Sequence, residues 1–437
     1  MELSAKPARK RRGNIRVVAN LTLANTIATA AGLVTGPIVA RALGVSGRGE
    51  LAAIVAVLTA APLVLDLGVP AWLARERARG GSRAELIGAA LPLAVLGSLI
   101  GIAAAVPLSD AIGNDRAVVE TFLQIGLFLS PIVVVPAMLV GLALGDSRWG
   151  LLSATTIMTS LLPLVFILAL TLAGRLTVAT AAVAYLVGGV AATLILLGLL
   201  KGMRRLVFSV QRTRAAVAFG SKSWMFAIAG SANQRLDQIL MAALVSSSEL
   251  GLYAVAVTST SLTFGLIAAA SNATFPQVAA GDNRLAARSC RLTLCVVAAG
   301  AVAVALAAPW LIPFIFGAPF ADAVPMVTIL LAASIPMAAA IMLGSALTAI
   351  GDPGAALRAE LIGLAVTIPA LVVFLPDHGG RAAAVISLVA YSLRLAVQLR
   401  TAQRRFDVRW WEFIVPARED AVWLAQAVRR VLAARRK

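Results

Sequence analysis

The stretch NQRLDQILMA, residues 233–242, sets an arginine and an aspartate inside a run of apolar sequence. At helical spacing, residues three, four and seven apart share a face. Asn233 and Asp237 therefore line up, with Gly230 one turn earlier leaving room for a neighbour or a ligand. Ser231, Gln234 and Gln238 make a second polar stripe beside the first. Arg235 and Asp237 point apart by about 200° around the helix, so each charge needs a partner on another helix, in water or on a ligand. A charge near the centre of a bilayer costs roughly 2.5–3.5 kcal/mol on insertion scales. Two readings of so costly a pair stay open. One is an interhelical ion pair; the other is a cavity wall in which Arg235 binds an anion and Asp237 takes part in ion coupling.

Two more polar sets belong to the same inventory. Thr22, Asn25, Thr26 and Thr29 lie largely on one face of the first apolar segment, where they are candidates for the same cavity, although hydroxyls also bond back to their own helix. Asp66, in LVLDLGVPAW, is a second intramembrane acid, either an ion-coupling group or the acceptor of a bond from Arg75 or a neighbouring helix. Arg394, in AYSLRLAVQLR, is expected to snorkel to the headgroups. Cys290 and Cys295 fit no disulfide or CxxC pattern and read as small apolar filler. His378, in LPDHGG, reads as part of a solvated turn. There is no GxxxxGK[ST] phosphate loop and no Cys/His/Asp cluster with metal-ligand spacing, so neither a cofactor nor a metal is expected. Energy must then come from an H⁺ or Na⁺ gradient, the membrane potential or the substrate gradient.

The elements that hold these residues are membrane spans. The chain is 60% hydrophobic and only 13% charged, with a mean hydropathy of +0.91. Twelve segments near 15–40, 50–74, 85–107, 118–143, 149–172, 177–200, 217–244, 252–275, 290–315, 323–349, 356–375 and 381–402 are long and apolar enough to cross a bilayer. They leave no room for a soluble catalytic domain. The expected fold is an all-α polytopic membrane protein, with twelve transmembrane helices in two pseudo-symmetric six-helix bundles around a central cavity. On that topology, at 1.5 Å per residue, Arg235 lies roughly 27 Å from the inner end of its helix and Asp66 roughly 24 Å along its own.

The net charge of +18 is distributed unevenly. With the N-terminus inside, only Arg41, Arg48, Arg116, Arg175 and Arg381 fall in outer segments, so both termini are expected on the cytoplasmic side of the cell membrane. The basic surplus then faces anionic lipid of the inner leaflet rather than nucleic acid. From Arg418 the tail carries Ala421, Leu424, Val428 and Val431 on one helical face, an interfacial amphipathic helix introduced by Trp410 and Trp411. Boundaries follow: a basic N-terminus 1–14, a six-helix bundle 15–200, a basic linker 201–216, a second bundle 217–402 and a basic amphipathic tail 403–437. RGELAAIVAV after the first segment aligns with ELGLYAVAVT after the seventh, placing Gly49 on Gly251 and Ala52 on Ala254. Such parallel repeats suit alternating access.

Several of these stretches resemble polysaccharide and oligosaccharide flippases. VARALGVSGRGELAAIVAVLTAAPLVLDLGVPAWLARERAR carries Arg41, Gly44, Gly49, Asp66, Gly68 and Arg75 in the spacing of that family's second-helix region. RLDQILMAALVSSSELGLYAVA resembles its seventh-helix segment, with Arg235, Asp237, Gly251 and Tyr253 as the marks. ATFPQVAAGD, WLIPFIFGAPF and LTAIGDPGAALRAELIGLAV are similar to its later signatures. The resemblance spans about 14–402 and implies the multidrug/oligosaccharidyl-lipid/polysaccharide exporter superfamily. It further implies a non-enzymatic transporter that moves a polyprenyl-diphosphate-linked glycan to the outer leaflet, in company with glycan polymerase or ligase proteins. Arg235 would suit the diphosphate, and Asn25, Thr22, Thr29, Ser231 and Asn233 the sugars. Three alternatives remain beside it: a lipid II flippase, a multidrug exporter of the same superfamily, and a non-transporting partner of a glycan synthase complex.

Overall fold

The computed structural model describes residues 7–200, 206–417 and 419–420, with side chains from residue 23 onward apart from Lys222, Phe226, Gln234, Leu262, Phe264, Ala269, Ala273, Pro276 and Asn283. The side chains of Thr22 and Gln234, linker residues 201–205 and the amphipathic helix expected beyond Ala421 lie outside the described residues.

Every regular element among the described residues is helical. That is what hydrocarbon demands of a chain with no closed barrel, since each backbone N–H and C=O must be satisfied within its own segment. The helices are α1 (Pro7–Leu65), α2 (Val69–Ala78), α3 (Arg83–Gly113), α4 (Ala117–Phe128), α5 (Ser130–Gly145), α6 (Trp149–Leu172), α7 (Val178–Leu197), α8 (Val210–Leu244), α9 (Ser247–Ala279), α10 (Asn283–Phe316), α11 (Val324–Ala349) and α12 (Pro353–Phe406). Eight helices are long and apolar enough to cross a membrane, and α4 with α5, bent by 53° at their junction, makes one further broken span.

Two of these runs are too long to be single crossings. At 1.5 Å per residue the 59 residues of α1 would extend roughly 90 Å. Gly44, at φ 71° and ψ −174°, breaks α1 into two arms, and Gly379, at φ 55° and ψ −143°, does the same for α12. The sequence suggested a charged turn over RALGVSGRGE and a loop at LPDHGG. Instead one residue with positive φ, which glycine adopts without a Cβ clash, carries each break and helix resumes at once. The 35-residue α8, less apolar because of Arg212, Arg214, Lys222, Arg235 and Asp237, completes twelve crossings among the described residues.

By their contacts the residues form two compact units. The first comprises Met1–Thr258, Ile312–Asp322 and Leu375–Gly380. In it α1 packs on α6, α7 and α8, α2 on α5, and α3 on α4, α5 and α8. A core of Leu65, Trp72, Leu73, Leu86, Leu139 and Leu142 fills the space beside α2. At one end of this unit Gly49 and Gly251 pack reciprocally. A Cβ on Gly49 would overlap the Ser247 carbonyl, and a Cβ on Gly251 would overlap the Val45 carbonyl. Each carbonyl belongs to the residue four before the opposite glycine, so the contact has the two-fold character that the Gly49/Gly251 alignment implies. Helices in lipid gain little from the hydrophobic effect and associate through such close backbone approach.

Arginines tie the same end together. Arg41 Nε donates to the Ile315 carbonyl at 2.9 Å, at the C-terminus of α10. Arg116 donates to the Gly113 and Ile112 carbonyls at 2.6 and 2.7 Å, to the Ala242 carbonyl, and to Ser247 Oγ at 3.1 Å. Arg48 Nη2 donates to Thr258 Oγ1 at 3.1 Å, and the Gly380 N–H donates to Glu249 Oε2 at 3.0 Å. The last carbonyls of a helix have no partner within it, and cations are favoured there by the helix dipole.

The second unit comprises Ser259–Leu311, Ala323–Phe374 and Arg381–Lys437. Cys290, Met342, Leu343, Leu347, Phe406 and Phe413 are buried in its core, so Cys290 is the filler the sequence suggested. Arg394 does not snorkel. It is 9% exposed and paired with Glu360, itself 7% exposed, on the other arm of α12. A carboxylate facing it inside the unit gives the guanidinium a nearer partner than the headgroups. At the end of the described chain, Asp420 accepts from Arg291 Nε at 2.7 Å and Nη2 at 2.9 Å, and Phe413 is fully buried. Trp410 and Trp411, centroids 5.8 Å apart, stay largely exposed beside that anchor, as interfacial residues should.

Candidate functional site

Asp237 of α8 finds its side-chain partner on α9. The Tyr253 hydroxyl donates to Asp237 Oδ2, and the Gln238 N–H donates to Oδ1 at 2.7 Å. Tyr253 is fully buried. Val245–Ser246 turn the chain between the two helices, which brings residue 253 back beside residue 237. Asp237 is thus held by two donors, a phenol and a backbone amide, and no ion pair within 4 Å joins it to Arg235 among the described residues. Arg235 is half-buried and lies within electrostatic reach of Asp237. Asn233 Nδ2 donates to the Ala229 carbonyl at 3.3 Å. Beside it Gly230 has no atom within 4 Å of where a Cβ would stand, so space remains on that face.

The other candidates sit elsewhere. Thr29 Oγ1 donates to the Asn25 carbonyl at 2.9 Å, the own-helix bond foreseen for this hydroxyl. Asn25 is exposed, and Ser231 is half-buried on α8. Asp66 closes the turn between α1 and α2, where its Oδ1 accepts the Gly68 N–H at 2.8 Å. Leu67 and Gly68 both have positive φ at that turn. Arg75, expected as one partner of Asp66, lies over the Phe219 ring at 4.6 Å and pairs with Glu76 at 3.5 Å. Trp224 of α8 supports the turn by donating from Nε1 to the Leu63 and Val64 carbonyls, both at 3.1 Å. The structure therefore brings Asp237, Tyr253 and Asn233 into one region and gives Asp66 to another element.

Tyr253 was noted in the sequence only as part of a motif, without a role. As one of three tyrosines in the chain, and a phenol one helix hairpin from a buried acid, it offered a signal. Glu360 gave less: the spans 356–375 and 381–402 make it a neighbour of Arg394's helix but do not say which faces meet.

Residues 15–280 match the family described as Polysaccharide biosynthesis protein. The chain belongs to that family. No curated protein sequence matches this chain, but solved structures do. The lipid II flippase MurJ in an inward closed conformation superimposes with a TM-score of 0.73 at 12% identity, covering 88% of this chain and 87% of that one. The inward-facing conformation of a multidrug resistance MATE family transporter of the MOP superfamily gives 0.71 at 15% identity, over 87% and 94%. A MATE transporter in the bent conformation gives 0.60 at 15% identity, over 90% and 95%. At such identities the shared property is the fold, which is that of the twelve-helix, two-bundle transporters. The protein is thus a multi-pass membrane protein of a polysaccharide flippase family whose structural neighbours transport rather than catalyse.

Proposed function

We propose that this protein carries a polyprenyl-diphosphate-linked oligosaccharide from the inner to the outer leaflet of the cytoplasmic membrane for cell-surface polysaccharide assembly. Both termini face the cytoplasm, and alternating access is driven by an ion gradient or the membrane potential. The family match carries this reading, and the chemistry of α8 supports it. A half-buried guanidinium suits an anionic headgroup, and the open space at Gly230 lies on the Asn233 face of the same helix. Asn233, Ser231, Asn25, Thr22 and Thr29 supply amides and hydroxyls for sugars. Asp237, with Asp66 as the second candidate, is the group through which H⁺ or Na⁺ acts. Anionic inner-leaflet lipid and a glycan polymerase or ligase are its partners, and no bond of the substrate is broken.

The test is flipping of a short-chain polyprenyl-diphosphate sugar in proteoliposomes by wild type, Arg235→Ala and Arg235→Lys. Removing an ionised hydrogen-bond partner of a diphosphate costs about 1.5–3 kcal/mol, so alanine should slow flipping at least tenfold and lysine restore part of it. Equal rates for all three, with the variants folded, would remove Arg235 from the headgroup site. Since MurJ shares the fold, lipid II is the competitor to include, and faster flipping of lipid II than of the oligosaccharide would reassign the substrate.

A further inference from the structure

A cavity of about 480 Å³ lies within the first unit, bounded by the second arm of α1, the bent α4–α5 pair, α6 and α7. None of the residues discussed above lines it. Its wall is valine, leucine, isoleucine, alanine and proline, with threonines, one tyrosine and no charged side chain.

The threonines do not make it a polar site. Thr59 Oγ1 donates to the Val55 carbonyl at 2.7 Å, Thr156 to Leu152 at 3.0 Å, Thr159 to Thr155 at 3.0 Å and Thr193 to Gly189 at 2.8 Å. Each hydroxyl proton is committed to its own helix, so these residues offer methyl groups and residual lone pairs. Beyond the one phenol of Tyr185, such a wall has no donor for a phosphate and no counter-charge for a cation; its complement is a branched hydrocarbon. The α4–α5 bend contributes Leu129 and Ile132, both exposed, and Phe128 beside them is 49% exposed. The approach is therefore apolar as well.

The cavity is also electrically polarised. Along α1, Val55, Thr59 and Pro62 line it at helical spacing, and Arg48 stands on the same stripe seven residues before Val55, roughly 10 Å away along the axis. The charge of Arg48 acts on Tyr185, which lines the cavity, while Arg48 Nε is buried with no hydrogen-bond partner. One end of an otherwise neutral, greasy space is thus positive, and low-dielectric walls strengthen that field.

We propose that this cavity holds part of the polyprenyl chain of the anionic carrier lipid, with the lipid's anionic end directed toward Arg48. This assignment rests on the flippase reading above and adds a chain site to it. Gly189 supplies the means of testing it: it lines the cavity, and a Cβ placed there meets nothing within 4 Å. A large side chain at 189 can fill the space with little disturbance of the wall.

The experiment uses full-length protein in proteoliposomes and a polyprenyl phosphate bearing a diazirine in its chain, with crosslinks mapped by mass spectrometry. Crosslinks are expected within 129–140 and 185–196. They should be competed by unlabelled polyprenyl phosphate but not by phosphatidylglycerol, and should fall more than tenfold in Gly189→Phe while Gly189→Ala keeps them. Arg48→Gln should weaken labelling by the phosphate probe more than by the matching polyprenol. Equal labelling by a diazirine phosphatidylglycerol would make the cavity a general lipid contact, and labelling elsewhere or unaffected by Gly189→Phe would place the chain elsewhere; either overturns the assignment. If Gly189→Phe does not fold, Gly189→Leu and the wild-type competition decide. Wild-type flipping in the same vesicles separates the two claims: flipping without cavity labelling removes only the chain site, and labelling without flipping removes the flippase reading.

Discussion

Two regions, the cavity wall of the first unit and the α12 arms of the second, deal with polar groups in hydrocarbon in opposite ways. The first spreads threonine hydroxyls along its helices, bonds them to the preceding turn and leaves a cavity beside them. The second buries whole charges, Glu360 against Arg394, and seats Gln398 at 0% exposure against Gly344. Neutral groups that bond locally leave the interior free to admit something; paired charges spanning two helix arms fix those arms to each other. The cavity wall is built to accommodate, the α12 arms to hold.

The largest effect should come from breaking the Glu360–Arg394 pair. Removing one partner of a buried ion pair costs about 3–5 kcal/mol, whereas replacing both by apolar residues is often neutral. Glu360→Leu and Arg394→Leu should each lower the unfolding temperature in detergent markedly, and the double variant should recover most of the loss. If either single change is tolerated, the pair does not fix the arms. Next comes the reciprocal glycine contact. Gly251→Val sets a branched side chain against the Val45 carbonyl, and overpacking of this kind costs about 1–3 kcal/mol. Its thermal shift should be matched by Gly49→Val, since the contact is symmetric.

Tyr253→Phe deletes one donor to a buried carboxylate, a loss of about 1–3 kcal/mol. It should destabilise the protein by that amount and change the pH profile of transport if Asp237 couples to an ion. A smaller effect is set by pH at Asp420 and Asp146. The hydrogen bond from Arg291 holds the Asp420 carboxyl below the usual carboxylate range, against the effect of burial. At Asp146 burial acts to raise the pKa, and Arg77 and Arg83 outweigh it and bring it below that range. A depressed carboxylate stabilises the fold above its unfolded pKa and loses that contribution as pH falls through the folded value. The stability difference between wild type and Asp420→Asn should therefore be flat near neutrality and shrink only on acidification below the ordinary aspartate range. The smallest effect is at the cavity, where Gly189→Ala should be neutral or stabilising by up to about 1 kcal/mol through helix propensity.

These contrasts also mark what could be read from the chain alone. The spans were visible because hydrocarbon forces long apolar runs, and the Gly49/Gly251 alignment, only one short match, corresponds to a physical contact between those residues. The breaks near 44 and 379 were legible as a charged turn and a loop, but that one glycine carries each was hidden, because helix resumes at once on either side. Arg394 was misjudged because span boundaries do not say which faces of two neighbouring helices meet, so Glu360 reads only as an acid on the adjacent arm. The cavity left no trace, since Thr156, Thr159 and Thr193 are indistinguishable in sequence from threonines that pad a helix. Voids are made by the relation of four helices, and no single segment encodes them.

The most direct measurement is leaflet exchange by the wild-type protein itself. A fluorescent polyprenyl-diphosphate oligosaccharide is incorporated into both leaflets of proteoliposomes, and a membrane-impermeant quencher is added. The flippase account predicts that quenching proceeds beyond the outer-leaflet pool until nearly all of the glycolipid is reached, while a phospholipid with the same fluorophore stops at the outer leaflet. Quenching of the glycolipid that halts at the outer leaflet, as in vesicles without protein, would contradict it.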